Sequence, residues 1–140
     1  MNFLGIDFGN KRIGLSLGDD ECFLAVPLGC LQVHSWMQIF QELEEVVQMR
    51  HIHQMVVGYP YNMDDSVGQK AQEVDRFIAE LQKKIPLPVE RVDERLTSES
   101  VEDLYHRSGK NRQKLRRKGM IDAAAATIIL QEFLDQINFT

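Results

Sequence analysis

The sequence predicts an α/β protein with a mixed five-stranded sheet and helices on both faces of the sheet. Short β-type stretches fill residues 1–30, and beyond them amphipathic helical stretches alternate with short apolar strands. The length of 140 residues is enough for one compact domain but hardly for two, so residues 1–140 are expected to form a single domain.

Three strands are predicted at the start of the chain. Asn2–Asp7 is a short apolar run, and the Gly9-Asn10-Lys11 turn separates it from Arg12–Leu17, where apolar residues alternate with small or polar ones. Phe23–Cys30 follows, and its Pro27 indicates an edge strand or a bulge. Together these strands are expected to form an antiparallel meander.

The pattern then changes to helix and strand in alternation. Ser35 is a suitable N-cap for an amphipathic helix to about Arg50, and a second helix is predicted near Gln69–Lys84. The short apolar strand Met55–Gly58 follows the first helix, and a fifth strand, Val89–Asp93, follows the second. Strand-helix-strand units of this kind join parallel neighbours, so the sheet should be mixed.

Two more helices are predicted after the fifth strand. Thr97 or Ser98 is a suitable cap for the first of them. The second is an alanine-rich helix from about Gly119 to Ile137, which closes the predicted βββαβαβαα order.

The charge of the chain is unevenly distributed. The net charge is −5, yet residues 107–118 carry seven basic side chains and no acidic one. Such a cluster stays at the surface and attracts polyanions, so nucleic acid is a candidate partner; the alternative is a solvated basic loop without one. Neither a signal peptide nor an apolar run of about 18 residues is seen, so a cytoplasmic protein that does not bind a membrane is expected.

Acidic residues end two of the predicted strands and begin the last helix. Asp7 ends an apolar strand, Asp93 and Glu94 end the fifth strand, and Asp122 lies at the start of the alanine-rich helix. A carboxylate among apolar neighbours is costly unless a cation, a donor or solvent meets it, so the set suggests a site for a hard cation. A pair of Mg²⁺ or Mn²⁺ ions held by such carboxylates would suit phosphodiester hydrolysis.

Each acidic residue also has a simpler explanation. Asp122 could be only a favourable negative charge at a helix N-terminus, and Asp93 or Glu94 could pair with Arg91 or Arg95 at the surface. Asp7 is harder to explain in this way, because its neighbours are predicted to be core residues.

Four blocks of the sequence resemble one known family, the YqgF/RuvX family. The blocks are Ile6-Asp7-Phe8-Gly9-Asn10-Lys11-Arg12-Ile13-Gly14, Val57-Gly58-Tyr59-Pro60 with Asn62-Met63-Asp64, Val92-Asp93-Glu94-Arg95-Leu96-Thr97 and Asp122-Ala123-Ala124-Ala125. Each block alone has only modest specificity for the family, but the four blocks together, in order over almost the whole chain, are highly specific. The resemblance implies a ribonuclease H-like fold, in agreement with the predicted order of elements.

The resemblance also implies a function. The family is described as nucleases that mature the 5′ end of pre-16S ribosomal RNA in ribosome biogenesis, or as Holliday junction resolvases. The expected partner is therefore structured RNA, such as pre-rRNA on the ribosome, in preference to branched DNA. The chain itself is expected to be a monomer or a homodimer, since a junction resolvase would need two active sites.

The family motifs imply the site residues. Asp7, one of the Asp93-Glu94 pair and Asp122 would be the catalytic metal ligands, and Glu94 is favoured over Asp93 for its longer side chain.

Other residues are expected to contact the nucleic acid. They are Lys11 and Arg12 in the family turn, Asn62 in a loop, where a simple turn is the alternative, and Arg112, Arg116 and Arg117 in the basic segment. One position departs from the family, because Asp65 stands where a glycine usually follows the Asn-Met-Asp triplet. It leaves the loop conformation open and adds negative charge near the expected substrate path.

Two other functions fit parts of the sequence. Asp7-x-Gly9 also resembles the phosphate-binding turn of the actin, Hsp70 and sugar-kinase group, but those proteins enclose a nucleotide between two such domains. The other is a nucleic-acid-binding module that keeps the fold without catalysis, and the three intact acidic positions argue against it.

Overall fold

The computed structural model describes residues 1–61, 67–94 and 120–139, and the side chains of residues 120–122 are not among the described atoms. The described elements are β1 (Asn2–Asp7), β2 (Arg12–Asp19), β3 (Val26–Gln32), α1 (Trp36–Met49), β4 (Ile52–Tyr59), α2 (Gln69–Lys84), β5 (Val89–Asp93) and α3 (Met120–Asn138). The helix predicted to begin at Thr97 or Ser98 lies outside the described residues.

The five strands form one mixed sheet in the order β3-β2-β1-β4-β5. β2 pairs antiparallel with both β1 and β3, whereas β4 runs parallel to β1 and to β5. The prediction of an antiparallel meander followed by parallel crossovers is therefore confirmed. This order brings the carboxyl ends of β1, β4 and β5 to the same edge of the sheet.

Both faces of the sheet are buried. Helices α1 and α2 cover one face, with Leu4, Ile6, Met55 and Val57 of the sheet in the core beneath them. Helix α3 covers the other face, with Phe3, Val56 and Val92 against it. Since side chains of a strand alternate between faces, these two sets define the side to which every strand residue points.

Strand β3 begins later than predicted. The carboxylate of Asp19 accepts hydrogen bonds from the backbone N–H groups of Glu21 and Cys22 at 3.0 and 2.8 Å, and Phe23 has a positive φ of 55°. This local turn keeps the chain out of the sheet until Val26. Pro27 lies on the edge strand at a register shift, as its missing N–H predicts.

Helix α1 has the predicted N-cap. The Ser35 side chain accepts a hydrogen bond from the backbone N–H of Gln38 at 3.2 Å. The helix ends in a turn at His51, whose φ is 52°, and β4 then begins at Ile52, three residues earlier than predicted. Across the three described segments, every helix is either too short or too polar to span a bilayer.

Candidate metal centre

Asp7 is the last residue of the central strand β1 and lies on the face covered by α3. Phe3 belongs to the core beneath α3, so alternation turns Gly5 and Asp7 to the same side. Asp7 is half-buried, and its partner across the antiparallel pair is Gly14.

Glu94 lies over Gly58 on the same face of the sheet. A Cβ atom at Gly58 would come within 2.8 Å of both Cγ and Oε1 of Glu94 and within 2.5 Å of Cδ1 of Ile129 in α3. A side chain at position 58 would therefore displace the side chain of Glu94 or of Ile129.

The strand register brings Asp7 next to Gly58. Ile6 of β1 pairs with Val57 of β4, and the next residue of each strand is Asp7 and Gly58. Adjacent strands lie about 4.8 Å apart, so Asp7 and Glu94 stand on either side of the glycine. Strands β1 and β5 thus bring two carboxylates to the same end of the sheet, where β1, β4 and β5 have their carboxyl ends.

Asp93 is turned the other way. It pairs with Tyr59 and follows Val92, whose side chain is in the core beneath α3. Alternation therefore directs Asp93 towards the face that α1 and α2 cover. Asp93 and Glu94 therefore lie on opposite faces of the sheet. The preference for Glu94 in the sequence analysis was based instead on the length of its side chain.

Helix α3 runs antiparallel to β1 and in close contact with it. The Ser16 hydroxyl donates a hydrogen bond of 2.7 Å to the carbonyl oxygen of Ala126, next to Gly5, and farther along α3 Phe133 packs on Phe3. The N-terminal turn of α3 therefore lies at the carboxyl end of β1. Asp122 belongs to that turn, one helical turn before Ala126, and its side chain is not among the described atoms.

The turn that follows Asp7 is exposed and basic. Lys11 and Arg12 are both exposed, and the carbonyl oxygen of Lys11 accepts a hydrogen bond of 2.9 Å from the Val33 N–H. A Cβ at Gly9 would lie 2.6 Å from the Arg12 carbonyl oxygen, so this turn is tight. The other predicted nucleic-acid contacts, Asn62, Arg112, Arg116 and Arg117, lie outside the described residues.

The donor chemistry fits a hard divalent cation. Asp7 and Glu94 offer carboxylate oxygens, which Mg²⁺ and Mn²⁺ prefer. Among the side chains that the structure describes, no three of the types His, Cys, Asp and Glu form a group that could hold a metal ion. A third carboxylate from the start of α3 would have to complete the set.

Sequence reasoning missed the residues that let these elements approach one another. Gly5, Ser16 and Gly58 form a small-residue strip under α3, and Ser16 is the one buried polar side chain among the described residues. The sequence does carry a signal for them, because each is a small residue in a strand of mostly larger ones, and all three lie on the α3 face.

The mixed five-stranded sheet with helices on both faces has the ribonuclease H-like fold. RuvC of T. thermophilus in complex with a Holliday junction substrate superposes with a TM-score of 0.61 at 16% identity, covering 100% of this chain and 97% of RuvC. The fowlpox virus resolvase, in complex with Holliday junction DNA, gives a TM-score of 0.59 at 10% identity, covering 98% and 99%. At such low identity the likeness shows the fold alone.

The chain belongs to the RuvX family, whose model, described as Holliday junction resolvase, matches residues 1–136. A relative from Crocosphaera subtropica is 41% identical over 133 residues, covering 95% of this chain and 92% of the relative. One from Opitutus terrae is 42% identical over 137 residues, covering 97% and 92%. Both are named as candidate pre-16S rRNA nucleases. The predicted family is confirmed, and so is the enzyme class, a nuclease that acts on phosphodiester bonds.

Proposed function

We propose that this chain is a metal-dependent nuclease that processes the 5′ end of pre-16S rRNA in the cytoplasm during ribosome biogenesis. The observation that carries the proposal is the pair of carboxylates, Asp7 and Glu94, on either side of Gly58 at one edge of the sheet. Asp122 is the proposed third ligand, and the metal is Mg²⁺ or Mn²⁺, in a two-ion site.

Each group has a distinct part in the proposed chemistry. The divalent metal, when bound, supplies charge stabilisation and an activated water for phosphodiester hydrolysis. Asp7 and Glu94 hold that charge at a fixed place, because both sit at the ends of paired strands. Lys11 and Arg12, exposed in the next turn, bind backbone phosphates of the substrate and orient it, together with Asn62 and the basic segment, residues 107–118.

RNA is favoured over a DNA junction as the substrate. The relatives named as candidate pre-16S rRNA nucleases share about 40% of their residues with this chain, whereas the resolvases in complex with junctions share 16% or less. Junction resolution is the second candidate, because the family model carries that description. It would need a homodimer to present two sites to one junction, while RNA cleavage would not.

A three-substrate cleavage assay tests the proposal. Precursor 16S rRNA, an unstructured single-stranded RNA and a four-way DNA junction are incubated with the protein in Mg²⁺, in Mn²⁺ and in EDTA. We expect metal-dependent cleavage of the precursor, in preference to the other two. Preferential cutting of the junction would make the protein a resolvase, and cleavage that persists in EDTA would overturn the metal proposal.

The Asp93-Glu94 pair gives a matched set of variants. Glu94→Gln is expected to lower cleavage about 100-fold or more, because even residues that merely orient a metal ligand typically contribute 10–100-fold. Asp93→Asn removes the same charge from the neighbouring residue on the opposite face, and cleavage should stay within about three-fold of wild type. Initial rates on the precursor RNA measure both. A loss confined to Asp93→Asn would reverse the assignment.

The basic segment gives a second prediction. Replacing Arg116 and Arg117 by Ala should weaken RNA binding and make the slope of log Kd against log salt shallower by about 1.5. Each phosphate contact releases roughly 0.7–0.9 counterions on binding, and two such contacts would be lost. The control replaces Lys83 and Lys84 by Ala, which removes the same charge from the last turn of α2. Equal slopes in all three proteins would mean that the basic segment does not hold the RNA.

A further inference from the structure

The carboxylate of Asp75, in α2, joins three elements on the face opposite Asp7. Its Oδ2 accepts a hydrogen bond of 2.7 Å from the Tyr59 hydroxyl at the end of β4. Its Oδ1 lies 3.3 Å from both Nε and Nη2 of Arg91 in β5. The Arg91 guanidinium also lies over the Tyr59 ring, 5.8 Å from its centre. One side chain therefore links the carboxyl end of β4 and the middle of β5 to α2.

Strand β5 is short and lies at the edge of the described sheet. It is a five-residue edge strand that pairs with β4 alone, and Val92 is its one fully buried residue. Glu94 follows directly after its last residue. A short edge strand frays more readily than a central one, and fraying here would move Glu94 away from Gly58.

The Tyr59 hydrogen bond gives the link a fixed geometry. Tyr59 is buried, and its burial, together with the hydrogen bond to Asp75, raises the pKa of its phenol to about 12. The phenol stays protonated and keeps donating to Asp75 over the whole range in which a nuclease works. An exposed Arg-Asp pair alone contributes little to overall stability, so the effect of this link is expected in local geometry.

We propose that Asp75 is a positioning residue: through Arg91 and Tyr59 it holds β5 against β4 and α2, and so keeps Glu94 in place beside Asp7. The proposal deepens the function proposed above and rests on it, since Glu94 must be a metal ligand for the position of β5 to affect the metal. Asp75 itself touches neither metal nor substrate, because α2 lies on the other face of the sheet.

The chain offers a matched control for Asp75→Asn. Glu80 is also in α2, and its carboxylate pairs with Lys83 at 3.0 Å without reaching a strand. Glu80→Gln removes one charge and one ion pair from the same helix. Asp75→Glu, which restores the carboxylate, and Tyr59→Phe, which removes the hydroxyl alone, complete the series.

Three measurements are made on these full-length variants. Mn²⁺ affinity is measured by electron paramagnetic resonance without RNA, hydrogen exchange is measured at the amides of residues 89–94, and kcat and KM are measured on the precursor RNA. For Asp75→Asn we expect Mn²⁺ affinity to fall about 10-fold and exchange in β5 to speed up, with KM for RNA unchanged. Asp75→Glu should recover part of the affinity, Tyr59→Phe should lie between wild type and Asp75→Asn, and Glu80→Gln should match wild type.

The outcomes separate this proposal from the function on which it rests. If Asp75→Asn matches Glu80→Gln in exchange and in Mn²⁺ affinity, the positioning role is wrong. Faster exchange with unchanged Mn²⁺ affinity also overturns it, because β5 would then be held without consequence for the metal. Wild-type protein that binds Mn²⁺ but cleaves no RNA would refute the proposed function, and the first two measurements would still support or overturn the role of Asp75.

Discussion

Asp7→Asn is expected to lower metal-dependent cleavage of precursor RNA about 1000-fold, to background, while the protein stays folded. The amide keeps the shape of the side chain but loses the negative charge that holds the cation at the end of β1. Asp7 is half-buried at the end of the central strand, so the sheet fixes the position of the charge that the amide would lose. Single-turnover cleavage in saturating Mg²⁺ measures the effect.

Asp20→Asn is the control for this variant. Asp20 pairs with the N-terminal ammonium group at 2.7 Å, at the end of β2 farthest from Asp7, and this contact lowers the pKa of its carboxyl. Removing that charge should leave cleavage unchanged. Both variants should melt as cooperatively as wild type by circular dichroism. Undiminished cleavage by Asp7→Asn would refute a metal centre at this edge of the sheet.

Gly5→Ala is expected to destabilise the fold by about 3 kcal/mol, the upper part of the range for overpacked cores. The added Cβ would lie 2.1 Å from the Ser16 hydroxyl oxygen, 2.9 Å from the Ala126 carbonyl oxygen and 2.9 Å from Leu130 Cβ. Ser16 is fully buried and the Ala126 oxygen belongs to the backbone, so α3 itself must shift. For a chain of this size the melting temperature should fall by roughly 10 °C.

A double-mutant cycle with Ser16→Ala isolates the cause. Ser16→Ala alone loses the hydrogen bond to Ala126 and should cost about 1 kcal/mol. Gly5→Ala should cost less in that background than in wild type, because the nearest atom has been removed. Strictly additive costs would show that the close approach to the Ser16 hydroxyl is not what makes glycine necessary at position 5.

The sheet was largely predictable from the sequence, and the errors in the predicted strand bounds have local causes. Short apolar runs and one alternating stretch predicted the strands, and the change of period predicted the crossovers. The start of β3 was wrong because the Asp19 carboxylate builds a longer turn than the two apolar residues Phe23 and Leu24 suggest. The start of β4 was wrong because Ile52 lies between two histidines and does not look like part of an apolar run, although it is buried.

The candidate site was predictable in composition but not in arrangement. Acidic residues at strand ends were visible in the sequence, and the family motifs named the same residues. The choice between Asp93 and Glu94 depends on which face of β5 each occupies, and this is set by the burial of Val92 beneath α3. Gly58 and Asp75 act through contacts with elements far away in the chain, which no local pattern contains.

The packing of α3 against β1 has a consequence for the timing of synthesis. Residues 2–7 and residues 123–138 cover one another, so a chain still emerging from the ribosome lacks this cover until α3 has been synthesised. Until then α3 does not bury Phe3, Val56 and Val92, and the partial chain exposes an apolar face of the sheet that chaperones can bind. If the proposed ligand set is correct, that partial chain cannot cut RNA, and the ribosome on which it is made is protected from an unfinished nuclease.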